Sequence, residues 1–203
     1  SIRILAGKPQ QMDGVAQALK PYLHKDVMII SVAAGLTTAI LSQWFAHENI
    51  IRTMPNTPAL IGKGITGLYA MPKVSTEQQE RAIAILQAVG QVVPVEQEPL
   101  LDAITALSGS GPAYVFLFIE VLIAGGEKLG LNYAQAKALA LGTIEGATSL
   151  AANSDQEPDV LRQNVTSKGG TTAAALDVFA QHKFMSVIAQ AMQAASDRAE
   201  EMA

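Results

Sequence analysis

Two glycines followed by two threonines, Gly169 to Thr172 within NVTSKGGTTAAAL, lead into an alanine-rich run of helical character. Glycines at that place bare successive backbone N–H groups, and the N-terminus of a helix favours anions. The turn is therefore a candidate receptor for a small carboxylate, with a threonine hydroxyl to meet a neighbouring heteroatom. The same residues also fit an N-cap made by a threonine, and spacing alone leaves both open. Three further stretches stand where β-like runs end. LAGKPQQM carries Lys8 and Pro9, SVAAGLTT spans residues 31 to 38, and MPNTPALIGKG sets prolines around Asn56 and Thr57. Open α/β sheets bind ligands at the carboxyl ends of their strands. Lys8 there could reach a phosphate or a carboxamide, and the small residues before Thr37 would let a bulky group approach the backbone. A solvated lysine and an ordinary tight turn are the plain alternatives, but three such ends on one edge carry more weight than any one.

These stretches need elements to hold them. IRILAG reads as a strand, followed by a helix whose Met12, Val15, Ala16 and Leu19 share one face; DVMIISVAAG is a second strand, TTAILSQWFA a helix, and NIIRTMPN a third strand. Alternating β and α runs favour a parallel sheet with right-handed crossovers. ITGLYA is strand-like, TEQQERAIAILQAVG is a capped amphipathic helix, and QVVPVE is a last strand. In VPVEQEPLLD two prolines and three carboxylates mark a boundary near residues 95 to 99, after which nearly every run is alanine-rich and helical. Alanine and glycine on so many helix faces permit close approach and leave few large side chains for a core, so the second half is expected to complete its core with another chain. No G-x-G-x-x-G occurs. GKGITG lies between a loop and a strand, and GSGPAY follows a helix, so neither reads as a phosphate cradle.

Composition narrows the partners. Fourteen Lys and Arg against eighteen Asp and Glu, a net charge of −4, with 5% aromatics, argue against a nucleic-acid surface. The absence of cysteine removes thiolate metal sites and cysteine nucleophiles, and the three scattered histidines lack ligand spacing, so no metal is expected. The apolar stretch Ala113 to Gly126, interrupted by Glu120, is shorter than the roughly 20 residues of a membrane span and is expected to be a buried helix. The start lacks the features of a signal peptide, and a cytoplasmic location is expected.

VAAGL with RTMPNTPALIGKG, then LSGSGPAYVFLFIE, then NVTSKGGTTAAAL together resemble the pyrroline-5-carboxylate reductases, which make proline by reducing a cyclic imine with NADPH or NADH. AGKP resembles the family's A-V-K-P with Gly7 in place of valine, and Lys168 stands where many members have proline. The family opens with a glycine-rich nucleotide turn and further βα units, roughly sixty residues that are not in this sequence. The resemblance implies a partial Rossmann-type parallel sheet domain over 1–97, the C-terminal part of a dinucleotide-binding domain. An all-α substrate-binding and dimerisation domain would follow over 98–203.

The resemblance further implies that Ala6, Lys8, Pro9, Val32, Ala34, Asn56 and Asn164 meet the cofactor. Gly170, Thr171 and Thr172 would form the substrate-carboxylate turn, with Thr172 as hydroxyl partner of the ring nitrogen. Asp155 falls where the family has a glutamate near the substrate. Substrate and product would be 1-pyrroline-5-carboxylate and L-proline, and the chain would form homodimers through its helical domain, assembled into a larger ring. In that family each site lies between one chain's sheet domain and its partner's helices. A protonated imine is already electrophilic, so the site's task is to hold two rings about 3 to 3.5 Å apart and to complement the carboxylate. The alternatives are a related imine or β-hydroxyacid reductase, for which Lys128 and Lys137 are the nearest lysines, and a non-catalytic dimerisation module.

Overall fold

The computed structural model describes residues 1 to 202; Ala203, the last residue of the expected helical domain, lies outside the described residues. Two compact units are present: Ser1–Pro112 with the chain from Met192 onward, and Ala113–Ala191. The composition changes near residue 97, but the packing boundary falls later. The first helical turns after the change, at Leu101 and Ile104, pack against Gly67 of the sheet, where a Cβ would lie 2.6 Å from Ile104 Cδ1.

The first unit holds a five-stranded sheet in sequential order: β1 (Ile2–Leu5), β2 (Met28–Ser31), β3 (Ile50–Met54), β4 (Gly64–Ala70) and β5 (Gly90–Val95). Its helices are α1 (Met12–Leu19), α2 (Thr38–Phe45) and α3 (Thr76–Leu86). β1, β2 and β3 run parallel, as expected, with Ile30 opposite Ile4 and Ile51. β4 runs antiparallel to β3 and parallel to β5. The short connection between β3 and β4 holds only a 3₁₀ turn, Thr57–Ile61, whereas a parallel return needs a dozen or more residues; the α3 crossover supplies them for β5.

All four residues of β2 are buried, as befits a strand covered on both faces. Side-chain alternation sorts Ile29 and Ile50 to one core with Met12, Ala16, Leu41 and Phe45 beneath α1 and α2. Ile30, Ile51 and Leu68 go to the other, with Ala82 and Leu86 of α3. Of the expected α1 face, Met12 and Ala16 are fully buried and Leu19 packs on the same cluster, while Val15 is exposed at the rim.

Beyond β5 a turn carries Glu98 and Pro99 into α4 (Leu100–Ile104), which continues through a π turn, Thr105–Gly109, into α5 (Gly111–Lys128). The second unit adds α6 (Tyr133–Ala152), α7 (Pro158–Asn164), α8 (Thr171–Gln181) and the start of α9 (Phe184–Met202), whose remainder from Met192 packs with the first unit. The expectation of a buried, short helix at Ala113 to Gly126 is corrected here. Leu100–Lys128 is one helical run of 29 residues, long and apolar enough to cross a membrane by length and composition, and no residue of α5 is buried. Phe116, Leu117 and Val121 stand on its surface, as do Leu139 on α6 and Phe179 on α8. Small residues at Gly126, Ala136 and Ala140 let helices approach closely but give the unit little interior, so its large side chains face outward.

Candidate active site

The sequence-predicted residues fall in both units. Ala6, Lys8, Pro9, Val32, Ala34 and Asn56 lie in the first, at the carboxyl ends of β1, β2 and β3; Asp155, Asn164, Gly170, Thr171 and Thr172 lie in the second.

Parallel pairing brings the three strand ends to one edge. Val32 donates its backbone N–H to Leu5 O at 3.0 Å, joining the ends of β1 and β2, and the Thr53 hydroxyl donates to Ser31 O at 2.9 Å, joining β2 and β3. Ala6, Lys8 and Ala34 are exposed there, as a ligand-binding edge requires. Lys8 directly precedes a 3₁₀ turn that Pro9 begins, and its carbonyl accepts from Gln11 N at 3.0 Å. A cavity of about 50 Å³ opens beside Ala34, Gly35, Arg52 and Met54, with Ala199 and Met202 of α9 in its wall.

Asn56, expected to meet the cofactor, ties its loop to two other segments. Its side-chain amide donates to Ser108 O at 3.0 Å and accepts from Ile65 N at 2.9 Å, tying the strand-end loop to the π turn and to the start of β4. Asn56→Ala strands both partners in a half-buried place and should lower the unfolding free energy by about 1 to 3 kcal/mol in urea denaturation.

In the second unit the residue at the cap of α8 is Gly170, with extended backbone (φ −82°, ψ 175°) and no side-chain cap. Neither threonine caps the helix. The first helical bond runs from Ala174 N to Gly170 O at 3.2 Å, so the amides of Thr171, Thr172 and Ala173 have no partner within the helix. Those N–H groups and the dipole can receive a carboxylate, and the cap left bare by Gly170 does not compete. Any Cβ on Gly170 would meet the Ser167 hydroxyl.

The preceding turn accounts for Lys168. Gly170 N donates to Ser167 O at 3.0 Å, and Gly169 has φ +72° at the third position, the form of a type II turn with Lys168 second. Proline suits that second position, where it fixes φ in advance; lysine fills it without that constraint. Lys168→Pro is expected to raise the unfolding free energy by about 0.4 to 1 kcal/mol, read as a higher urea midpoint at unchanged slope.

Asn164, at the end of α7, donates from its amide to Gln156 Oε1 at 2.9 Å, and Asp155 is exposed in the turn before α7. Of the two lysines noted for a hydroxyacid reductase, Lys137 lies over the Tyr133 ring at 5.9 Å, and Lys128 occupies the last turn of α5.

Sequence reasoning passed over Glu98. Its carboxylate accepts from the Thr38 amide at 2.7 Å, from the Thr38 hydroxyl at 2.6 Å and from Arg52 Nη1 at 3.0 Å. The only signal was a glutamate in a proline-rich boundary, which reads as solvated.

Residues 98–202 match the family model for pyrroline-5-carboxylate reductase dimerisation. Over 201 residues the chain is 45% identical to the pyrroline-5-carboxylate reductase of Pseudomonas aeruginosa, covering 98% of this chain and 74% of that protein. The chain belongs to the pyrroline-5-carboxylate reductase family. It is 38% identical over 203 residues to the reductase of Pisum sativum, covering 100% of this chain and 74% of that one. Among solved structures, the pyrroline-5-carboxylate reductase of Coxiella burnetii superposes with a TM-score of 0.96 at 40% identity, covering 100% of this chain and 76% of the other. The Plasmodium falciparum pyrroline carboxylate reductase, solved with NADP bound, superposes with a TM-score of 0.90 at 35% identity, covering 99% and 76%.

Proposed function

We propose that this pyrroline-5-carboxylate reductase family member reduces 1-pyrroline-5-carboxylate to L-proline with NADPH, the last step of proline biosynthesis. The observation that carries the reading is 45% identity to a reductase across a stretch that includes the strand-end loops and the α8 turn. The exposed small residues at the ends of β1 and β2 suit a flat, bulky cofactor at that edge. Ala6, Lys8, Pro9, Val32 and Ala34 hold it there, Asn56 fixes the third loop, and Asn164 belongs to the same set. When bound, NADPH supplies the hydride that the imine carbon accepts.

This chain's own part is to bind and orient. The first-turn amides of α8 at Thr171 and Thr172, beside Gly170, hold the substrate carboxylate, and the Thr172 hydroxyl orients the ring nitrogen. Asp155, exposed in the turn before α7, belongs to the substrate-binding set. None of these groups has to act as a strong acid or base, because the protonated imine is already electrophilic. Oxidation of NADPH that depends on added 1-pyrroline-5-carboxylate tests the activity. Thr172→Ala should lower kcat/KM by roughly 10- to 100-fold, the worth of a hydrogen bond to a charged group; full retention would remove Thr172 from the mechanism.

We further propose that residues 98–203 form the substrate-binding and dimerisation domain, following the sheet domain at 1–97. A second copy, rather than lipid, covers the exposed Phe116, Leu117 and Val121, and the dimers assemble into a larger ring in the cytoplasm. Light scattering without detergent should return a multiple of the chain mass.

A further inference from the structure

The strand ends assigned above to the cofactor are held by a charged group outside the reaction. Glu98 sits in the turn between β5 and α4, where its carbonyl accepts from Leu101 N at 2.9 Å and so starts the helix. Its carboxylate reaches back to two other elements. Oε1 accepts from the first amide of α2, Thr38, at 2.7 Å and from Arg52 Nη1 of β3 at 3.0 Å, while Oε2 accepts from the Thr38 hydroxyl at 2.6 Å. Thr38 is 4% exposed and Arg52 6%.

A buried pair of this kind adds little net stability over hydrophobic residues of equal volume, since desolvation offsets the attraction. What the carboxylate supplies is direction. It fixes the orientation of α2's first turn relative to β3, and the loop from Val32 to Thr37 ends at that turn, where the Thr37 hydroxyl accepts from Ile40 N at 3.3 Å. Ala34 and Gly35 of this loop and Arg52 of the cluster line one cavity. We propose that Glu98, acting through Thr38 and Arg52, is a positioning residue for the cofactor edge: it sets the Val32–Thr37 loop and so governs affinity for NADPH without touching substrate. This rests on the reading of the β1–β3 edge as the NADPH site.

Thr38→Val removes one hydroxyl donor at nearly constant volume, and Thr38→Ser keeps it. In the full-length protein, Thr38→Val should raise both KM and Kd for NADPH about fivefold, part of the worth of the hydrogen bond lost to the Glu98 carboxylate, with kcat and the KM for 1-pyrroline-5-carboxylate within about twofold of the parent. Thr38→Ser should restore the parent value for NADPH. Glu98→Gln, which keeps one side-chain oxygen as an acceptor and loses the charge, should show the same split and serves if the valine variant does not fold. Equal NADPH affinity in the valine and serine variants overturns the proposal, as does a parallel rise of both KM values, which is the mark of general loosening. A parent protein that does not oxidise NADPH with this substrate overturns the reductase reading and the positioning role together, whereas an active parent with unmoved variants overturns the positioning role alone.

Discussion

Glu98→Ala is expected to lower the unfolding free energy by about 3 to 5 kcal/mol, seen as a large fall in the urea midpoint at nearly unchanged slope. The loss comes from what the substitution leaves behind more than from the pair it breaks. Arg52 has 8% of its side chain exposed, and the substitution takes away the carboxylate that pairs with it. The Thr38 hydroxyl and amide lose their acceptor at the same time. Because the cost belongs to the stranded arginine, Glu98→Leu combined with Arg52→Met should recover much of it, a non-additivity that a double-mutant cycle reads directly. Loss of packing at an ordinary side chain would give additive effects instead.

Glu98 also marks where reading along the chain stops short. Strand β2 and the α1 face were legible because their periodicity is local, as was the gathering of three strand ends on one edge, which follows once the runs alternate. The Glu98 carboxylate finds Thr38 sixty positions away in the chain. No local pattern records such a partner, and a glutamate beside proline looks the same whether it is solvated or buried. The direction of β4 lay in loop length rather than in the strand itself: ITGLYA is equally good β in either sense, and only the brief Thr57–Ile61 connection excludes a parallel return. For Ala113 to Gly126, apolarity raised an expectation of burial that a single chain does not meet. Residues 98–202 match a dimerisation model, and the second copy proposed above would meet the demand. At Gly170 the pattern was compatible with a threonine cap, and the choice turned on a backbone conformation that sequence does not display.

Thr171→Asp should separate stability from substrate affinity with opposite signs. Thr171 is the first residue of α8 and is exposed, so an aspartate there adds a negative charge beside the unpaired first-turn amides and should stabilise the helix by about 0.3 to 1 kcal/mol. That charge also occupies the place proposed for the substrate carboxylate. Two like charges about 4 Å apart near a protein surface repel by up to about 4 kcal/mol, and solvent and side-chain movement reduce this, so a rise of roughly 100-fold in the KM for 1-pyrroline-5-carboxylate is expected. L-Proline should weaken in parallel as an inhibitor, because it presents the same carboxylate, while the KM for NADPH stays within about twofold. Thr171→Asn carries a similar shape without the charge and should leave substrate KM within a few-fold of the parent, assigning the loss to electrostatics. A damaged turn would lower stability and affinity together. Only a helix start that serves as the anion receptor gains stability from a fixed carboxylate while losing the one that arrives with the substrate.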